Sequence, residues 1–282
     1  LAGGRPIFEG QQFAPFFADA FPSLLSVCAN NWYQKRAKFS YVNVFHCGIV
    51  RSGGSGEYHE AWPERYIVPM QGIIVAAPSD AYDLVGLMRA SYEYDGPVAF
   101  LLQTSSSGDE QFSSPVPDDP YVIPLGKSCV KKEGTDCTVI AYGAACVRAA
   151  LNEADALMEI EGIRVEVIDM QTVWPFDTET YARSIEKTSR LVVFHEDREH
   201  AGIGEMLIGK LMRMDDVYEC LTARPRLVAA KNVPNSGSRV LVWDKMPYEV
   251  TEIRAGDEKG RSIKRTMHRS SKLAHAIQET LK

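Results

Sequence analysis

Short, almost uninterrupted apolar runs alternate with segments of helical periodicity along this chain, and that alternation is its strongest constraint on fold. Residues 41–50, 72–77 and 98–102 read as buried strands. Asp80 stands as an N-cap before Leu84, Leu87 and Met88, and Phe21, Leu24, Leu25 and Cys28 recur at spacings of three and four, which predicts a helix over 19–29. From 104 to 124 the composition turns to Ser, Asp and Pro, the chemistry of a linker. Alternation then resumes, with strands at 137–142, 164–169 and 190–195 and helices at 144–160, 178–188 and 204–214. Strands that are apolar throughout must be covered on both faces, so each half predicts a parallel sheet packed between helices. The expected fold is α/β in two domains, 1–125 and 126–282.

At 282 residues the chain is long enough to bury its cores without disulfides. No apolar run reaches bilayer length, so no membrane partner is expected. A net charge of −6 argues against a nucleic-acid surface. Seven Lys or Arg between Arg254 and Lys272 stand against Asp257 and Glu258, which leaves the remainder at about −11. This basic segment reads as a solvated face or, more sharply, as a surface for an acidic protein partner, and not as a nucleic-acid site. The six cysteines lack any metal or redox spacing and read as reduced, mostly buried thiols. His195 and His200 are one residue too far apart for a zinc-protease helix, and no metal site is expected. Gly202-Ile203-Gly204 follows an apolar strand, but Gly209 comes too late for a dinucleotide fingerprint, so it reads as a tight strand-to-helix turn.

Two pieces of the first half carry chemistry. In Phe8-Glu9-Gly10-Gln11-Gln12-Phe13-Ala14-Pro15-Phe16-Phe17, aromatic faces crowd around a few polar groups, a composition suited to a flat heteroaromatic ligand or to a core strand leading into a helix. Arg51-Ser52-Gly53-Gly54-Ser55-Gly56-Glu57-Tyr58-His59-Glu60 is a glycine-rich loop that delivers one histidine, a group able to move protons near neutral pH.

The string Gly3-Gly4-Arg5-Pro6-Ile7-Phe8-Glu9, then Gln12-Phe13-Ala14, then Gly56-Glu57-Tyr58-His59 with Pro63-Glu64 resembles the beta subunits of thiamin-diphosphate-dependent 2-oxoacid dehydrogenases, of the pyruvate and branched-chain type. The segments 134–143, 165–177 and 188–196 are similar, in order and spacing, to the transketolase C-terminal domain as those subunits carry it. The resemblance implies a pyrimidine-binding domain over 1–125 and a transketolase C-terminal-like domain over 126–282. It implies thiamin diphosphate shared with an alpha subunit that holds the diphosphate and its Mg2+. By the same resemblance, Phe16 packs on the aminopyrimidine with Gln12 and Phe13 beside it, and His59 is the catalytic histidine. The implied partners are the alpha subunit, a second beta subunit in a heterotetramer, and a lipoyl acyltransferase core. The implied location is cytoplasmic, or the mitochondrial matrix in a eukaryote.

The family's ring-protonating glutamate would precede Leu1, so a missing N-terminal part is expected. Pro69 replaces a second histidine, and Tyr94-Asp95-Gly96 lacks the family's potassium-turn residues, so no potassium is expected. Two other functions remain open on the sequence, a split transketolase-like or synthase-type carboligase and a non-catalytic dimerising scaffold. The second domain reads as a dimerisation and docking module, with His195 and Glu196 closing a strand there.

Overall fold

A computed structural model describes residues 4–13, 21–24, 30, 41–48, 62–103, 110–234, 238, 241, 244–256 and 262–282. The first sheet is built from β1 (Ile7–Phe13), β2 (Tyr41–Cys47), β3 (Ile74–Ala76) and β4 (Pro97–Gln103), all parallel, with β2 and β4 at its centre. Its fifth strand, β8 (Thr172–Trp174), comes from the second half of the chain and pairs antiparallel with β3. The second sheet runs in the order β10-β9-β6-β7-β5: β10 (Arg226–Ala230), β9 (Leu191–Arg198), β6 (Cys137–Ala141), β7 (Val165–Asp169) and β5 (Cys129–Lys132). Only β5 is antiparallel in it. The chain therefore has the expected α/β architecture, with mostly parallel sheets.

Alternation within the strands divides the core. Val139 and Ala141 of β6 face α3 (Ala144–Glu161) and the closing helix α7 (Ser271–Thr280), in a cluster with Val165, Val167, Val192 and Phe194. Ile140 and Tyr142 face the opposite way, with α4 (Thr178–Thr188), α5 (Ile203–Leu211) and α6 (Asp215–Cys220). That second cluster also contains Phe45, Cys47, Val75, Ala99 and Leu101, so one apolar core joins the two sheets. The outer face of the first sheet is covered by α2 (Ala81–Glu93), whose N-cap Asp80 accepts a hydrogen bond from the Asp83 amide at 2.9 Å, as its sequence predicts.

Three expectations need correction. The stretch read as a linker is, over its described part, a strap: Phe112 and Ile123 are buried, Tyr121 stacks on Tyr82 at 4.4 Å, and the Ile123 amide donates to Gly86 O at 3.1 Å. Its apolar residues, spaced among prolines, find the α2 surface. The strand expected to end at His195 continues to Arg198, because it still pairs with β10 at Ala230. The helix expected to run from 204 to 214 is α5 and stops at Leu211. The helix predicted over 19–29 lies largely outside the described residues, and the glycine-rich loop predicted over 51–60 lies wholly outside them. Cys47, Cys129, Cys137, Cys146 and Cys220 are free thiols, as their spacing predicts.

The basic segment supplies an antiparallel ribbon, β11 (Glu249–Gly256) with β12 (Ser262–Arg269). Its base is tied to α3: Arg269 donates to both Glu153 carboxylate oxygens, at 2.6 and 3.0 Å, and Asn152 donates to His268 O at 2.7 Å.

Candidate functional site

In a parallel sheet the carboxyl ends of the strands gather on one edge, where α/β proteins bind their ligands. On the first sheet β1 ends at Gln12 and Phe13, with Phe13 in register with His46 near the end of β2. His46 Nε2 lies 2.9 Å from Glu9 Oε1 across the same two strands. Gln12 and Phe13 close β1 at its carboxyl end; Phe16 and His59 lie outside the described residues.

The carboxyl ends of β2 and β4 abut those of β6 and β9, and buried polar side chains fill the junction. Gln103, closing β4, donates through Nε2 to Glu196 and accepts the Ala145 amide, at the start of α3, at 2.8 Å. Tyr248 OH donates to the same Glu196 carboxylate at 2.8 Å. Gly48 (φ +85°) passes so close that a Cβ there would lie 3.0 Å from Glu196 Oε1.

Beside this lies a second group, led by the short helix α1 (Glu64–Ile67). Arg65 donates through Nε to Asp197 Oδ2 at 2.7 Å, and to the backbone oxygens of His200 and Arg198 at 3.2 and 3.3 Å. Tyr142 OH donates to Glu64 Oε1 at 2.6 Å. Trp62 meets Tyr142 edge-on at 5.6 Å, and His195 stacks on that ring at 5.6 Å. Burial, then the charge of Asp197, pushes the Glu64 carboxyl well above the ordinary range. Asp197 is itself raised by burial, against the pull of Arg65. The junction therefore sets a carboxyl whose pKa is raised by burial beside a desolvated ion pair, an arrangement that orients groups.

His195 is fully buried, and its Nε2 accepts the Gly204 amide at 3.2 Å, the helix-opening turn that Gly202-Ile203-Gly204 predicts. Burial, then the charge of Arg65, pushes its pKa down to about 3, so the ring is neutral at physiological pH. A depressed histidine pKa stabilises the fold fully above the unfolded value of about 6.5, and this contribution is lost as pH falls from there towards 3. His195→Gln, which can still accept from Gly204, is expected to flatten the acid-side slope of unfolding free energy by up to about 1.4 kcal/mol per pH unit in that window. Urea unfolding at several pH values measures it; an unchanged slope would contradict the buried neutral ring.

Sequence reasoning missed Trp62, Glu64, Arg65, Gln103, Tyr142 and Asp197 as a group. The available signal was the charged run His195-Glu196-Asp197-Arg198 continuing a strand that is otherwise apolar.

Comparison with known proteins places this geometry. The transketolase pyrimidine binding domain model matches residues 1–108 and the transketolase C-terminal domain model matches residues 126–247. The pyruvate dehydrogenase E1 component subunit beta of Bacillus subtilis (strain 168) is 34% identical over 211 residues, 75% of this chain and 63% of the relative. Its counterpart in Staphylococcus aureus (strain Mu50) is 34% identical over 215 residues, with the same coverage. The chain thus spans 63% of the length of these curated relatives. Among solved structures, a split-gene transketolase described as an inactive beta4 tetramer superposes with a TM-score of 0.70 at 22% identity, covering 98% of this chain and 76% of its own. A Campylobacter jejuni transketolase gives 0.56 at 16% identity, covering 86% and 33%. Both share the fold.

Two α/β units, one of pyrimidine-binding and one of C-terminal type, define the transketolase class. Within that class the chain is similar, at 34% identity over 75% of its length, to the beta subunits of pyruvate dehydrogenase E1 components.

Proposed function

We propose that this chain is the beta half of a 2-oxoacid dehydrogenase component. It converts R–CO–COOH and a lipoyl disulfide into CO2 and an S-acyl-dihydrolipoyl group, whose second sulfur takes the proton. The observation that carries this reading is the 34% identity to pyruvate dehydrogenase E1 beta subunits over 75% of the chain, with both domain models in order. Residues 1–125 serve as the pyrimidine-binding unit and 126–282 as the C-terminal unit. The protein works in the cytoplasm with an alpha subunit, a second beta subunit and a lipoyl acyltransferase core.

Thiamin diphosphate fits the carboxyl edge of the first sheet, where β1 ends at Gln12-Phe13 and Phe16 follows three residues on. When bound, it supplies the electron sink for loss of CO2. The alpha subunit holds its diphosphate and Mg2+, while Phe16 packs on the aminopyrimidine and Gln12 and Phe13 line the strand end. His59 holds and releases the proton that accompanies acyl transfer to lipoyl. Phe16→Ala in the assembled component is expected to weaken cofactor retention by about tenfold, since an aromatic contact of this kind contributes about 0.5–1.5 kcal/mol beyond its buried area. Cofactor titration of the two proteins checks it, and equal affinity would shift the register assigned to this strand.

The function itself is tested by co-expressing the full beta chain with its alpha subunit and following lipoyl-domain acylation with a panel of 2-oxo acids. Acylation that needs both chains is expected. Ketol formation from an aldehyde acceptor, without lipoyl, would select a carboligase instead.

A further inference from the structure

Among the described residues, one lysine faces three carboxylates where the two sheets meet. Asp80 and Asp83 stand at the start of α2, over the first sheet, while Lys131 on β5 and Asp169 at the end of β7 belong to the second. Lys131 Nζ lies 2.8 Å from Asp83 Oδ2, 3.2 Å from Asp80 Oδ2 and 3.8 Å from Asp169 Oδ2. Asp83 also accepts hydrogen bonds from Ser79 Oγ at 2.8 Å and Gln171 Nε2 at 2.6 Å. Asp169 is fully buried; its Oδ1 accepts the Gln171 amide at 3.0 Å, whereas its Oδ2 has no hydrogen-bond partner among the described residues. A charged oxygen so placed costs far more than a neutral acid, and the lysine is already in hydrogen-bond contact with the other two carboxylates. Asp169 is therefore the member that keeps a proton. Gln171 opens the crossing into the first sheet: its carbonyl oxygen accepts the Ala77 amide at 2.8 Å, and β8 begins at the next residue.

We infer that Asp169 is the proton-holding member of a pH-sensitive latch between the two sheets: its neutral carboxyl group lets one lysine serve both aspartates of α2, and loss of that proton loosens the crossing at Gln171. Burial, then the charge of Asp83, pushes the Asp169 pKa up to about 8, against the pull of Lys131. Burial also opposes ionisation of Asp83, yet Lys131, Ser79 and Asp169 hold it below the ordinary carboxylate value, so the proton stays on Asp169. The other titratable groups facing Asp169 are Asp80, Lys131, Cys129 opposite it on β5, and Tyr181 of α4. Burial raises Cys129 and Tyr181, which keeps both neutral, and Asp169 and Asp83 outweigh burial in keeping Lys131 charged. The folded-state value of Asp169 stands above the unfolded one of about 3.9, so its stabilisation is complete below about pH 4 and is lost as pH rises to about 8.

The test is urea unfolding of the full chain from about pH 6 to about pH 9, beside the variant Asp169→Asn, whose amide keeps the acceptor for the Gln171 amide and cannot ionise. The unfolding equilibrium constant of the wild type, relative to that of Asp169→Asn, is expected to rise about tenfold per pH unit up to about pH 8 and to level off above it. Asp83→Asn, which removes the neighbouring like charge, should move the levelling point to lower pH. Over the same range the exchange protection of the Ala77 amide, corrected for its intrinsic base catalysis, should fall in the wild type and hold in Asp169→Asn. The carbon NMR signal of Asp169 Cγ reads the proton in the wild type without any variant, and should titrate near pH 8. A ratio independent of pH, a levelling point unmoved by Asp83→Asn, an Asp169 signal already that of a carboxylate at about pH 6, or equal Ala77 protection in wild type and Asp169→Asn overturns the latch.

Discussion

Arg65→Met is expected to lower the unfolding free energy by about 3–5 kcal/mol, the usual consequence of removing one member of a buried ion pair. Asp197 is 8% exposed and receives from Arg65 both Nε, at 2.7 Å, and a second guanidinium nitrogen, at 2.5 Å. Without the guanidinium, Asp197 must either stay charged in a desolvated place or take up a proton. It also sits beside Glu64, whose carboxyl is pushed well above its ordinary range by burial and then by the charge of Asp197. The backbone oxygens of Arg198 and His200 lose a donor in the same step. Replacing both charges, Arg65→Met with Asp197→Leu, should recover at least half the loss, because the pair offsets its own desolvation and contributes little net. Urea unfolding of the three variants reads this directly, and a single-variant loss below about 1 kcal/mol would mean that the pair is solvated.

His59→Ala should leave the assembled component folded and loaded with cofactor, yet slow acyl transfer to lipoyl by about 10²- to 10⁴-fold, the range typical of a lost proton-transfer group. The sequence around His59 is rich in glycine, as in Gly53-Gly54-Ser55-Gly56. Single-turnover acylation separates this effect from slow release of product. Turnover near wild type would remove His59 from the site.

Much of the fold was legible in the sequence because its central strands carry a local signature. β6, β7 and the first part of β9 are buried on both faces, and continuous apolar runs bounded by caps announce that condition without knowledge of any partner. α2 could be placed by Asp80 alone. What escaped depends on distant partners. β8 is three residues long and owes its existence to β3, where Val75 pairs with Trp174. The strap over α2 looked like linker because prolines and aspartates dominate it, and only the position of Gly86 beneath Tyr121 and Ile123 explains why it packs.

The site divides in the same way. That β1 ends at Gln12 and Phe13 is a local feature of the chain. The Glu64–Tyr142 and Arg65–Asp197 contacts join residues 78 and 132 positions apart, and no spacing rule relates them. Glu64 and Tyr142 could be quoted as parts of a family resemblance, but only the fold brings them together. The basic segment had a clear charge signal, whereas its antiparallel ribbon rests on the pairing of Glu249 with Arg269 and the residues between.

The central claim is that this chain is half of a shared thiamin-diphosphate site. The most direct measurement is release of CO2 from a 2-oxo acid by the full beta chain, by its alpha subunit and by the two combined, each with and without thiamin diphosphate and Mg2+. The account predicts cofactor-dependent release from the combination and none from either chain alone. Release by the beta chain on its own, or none from a correctly assembled and cofactor-loaded pair across the range of 2-oxo acids, would contradict it.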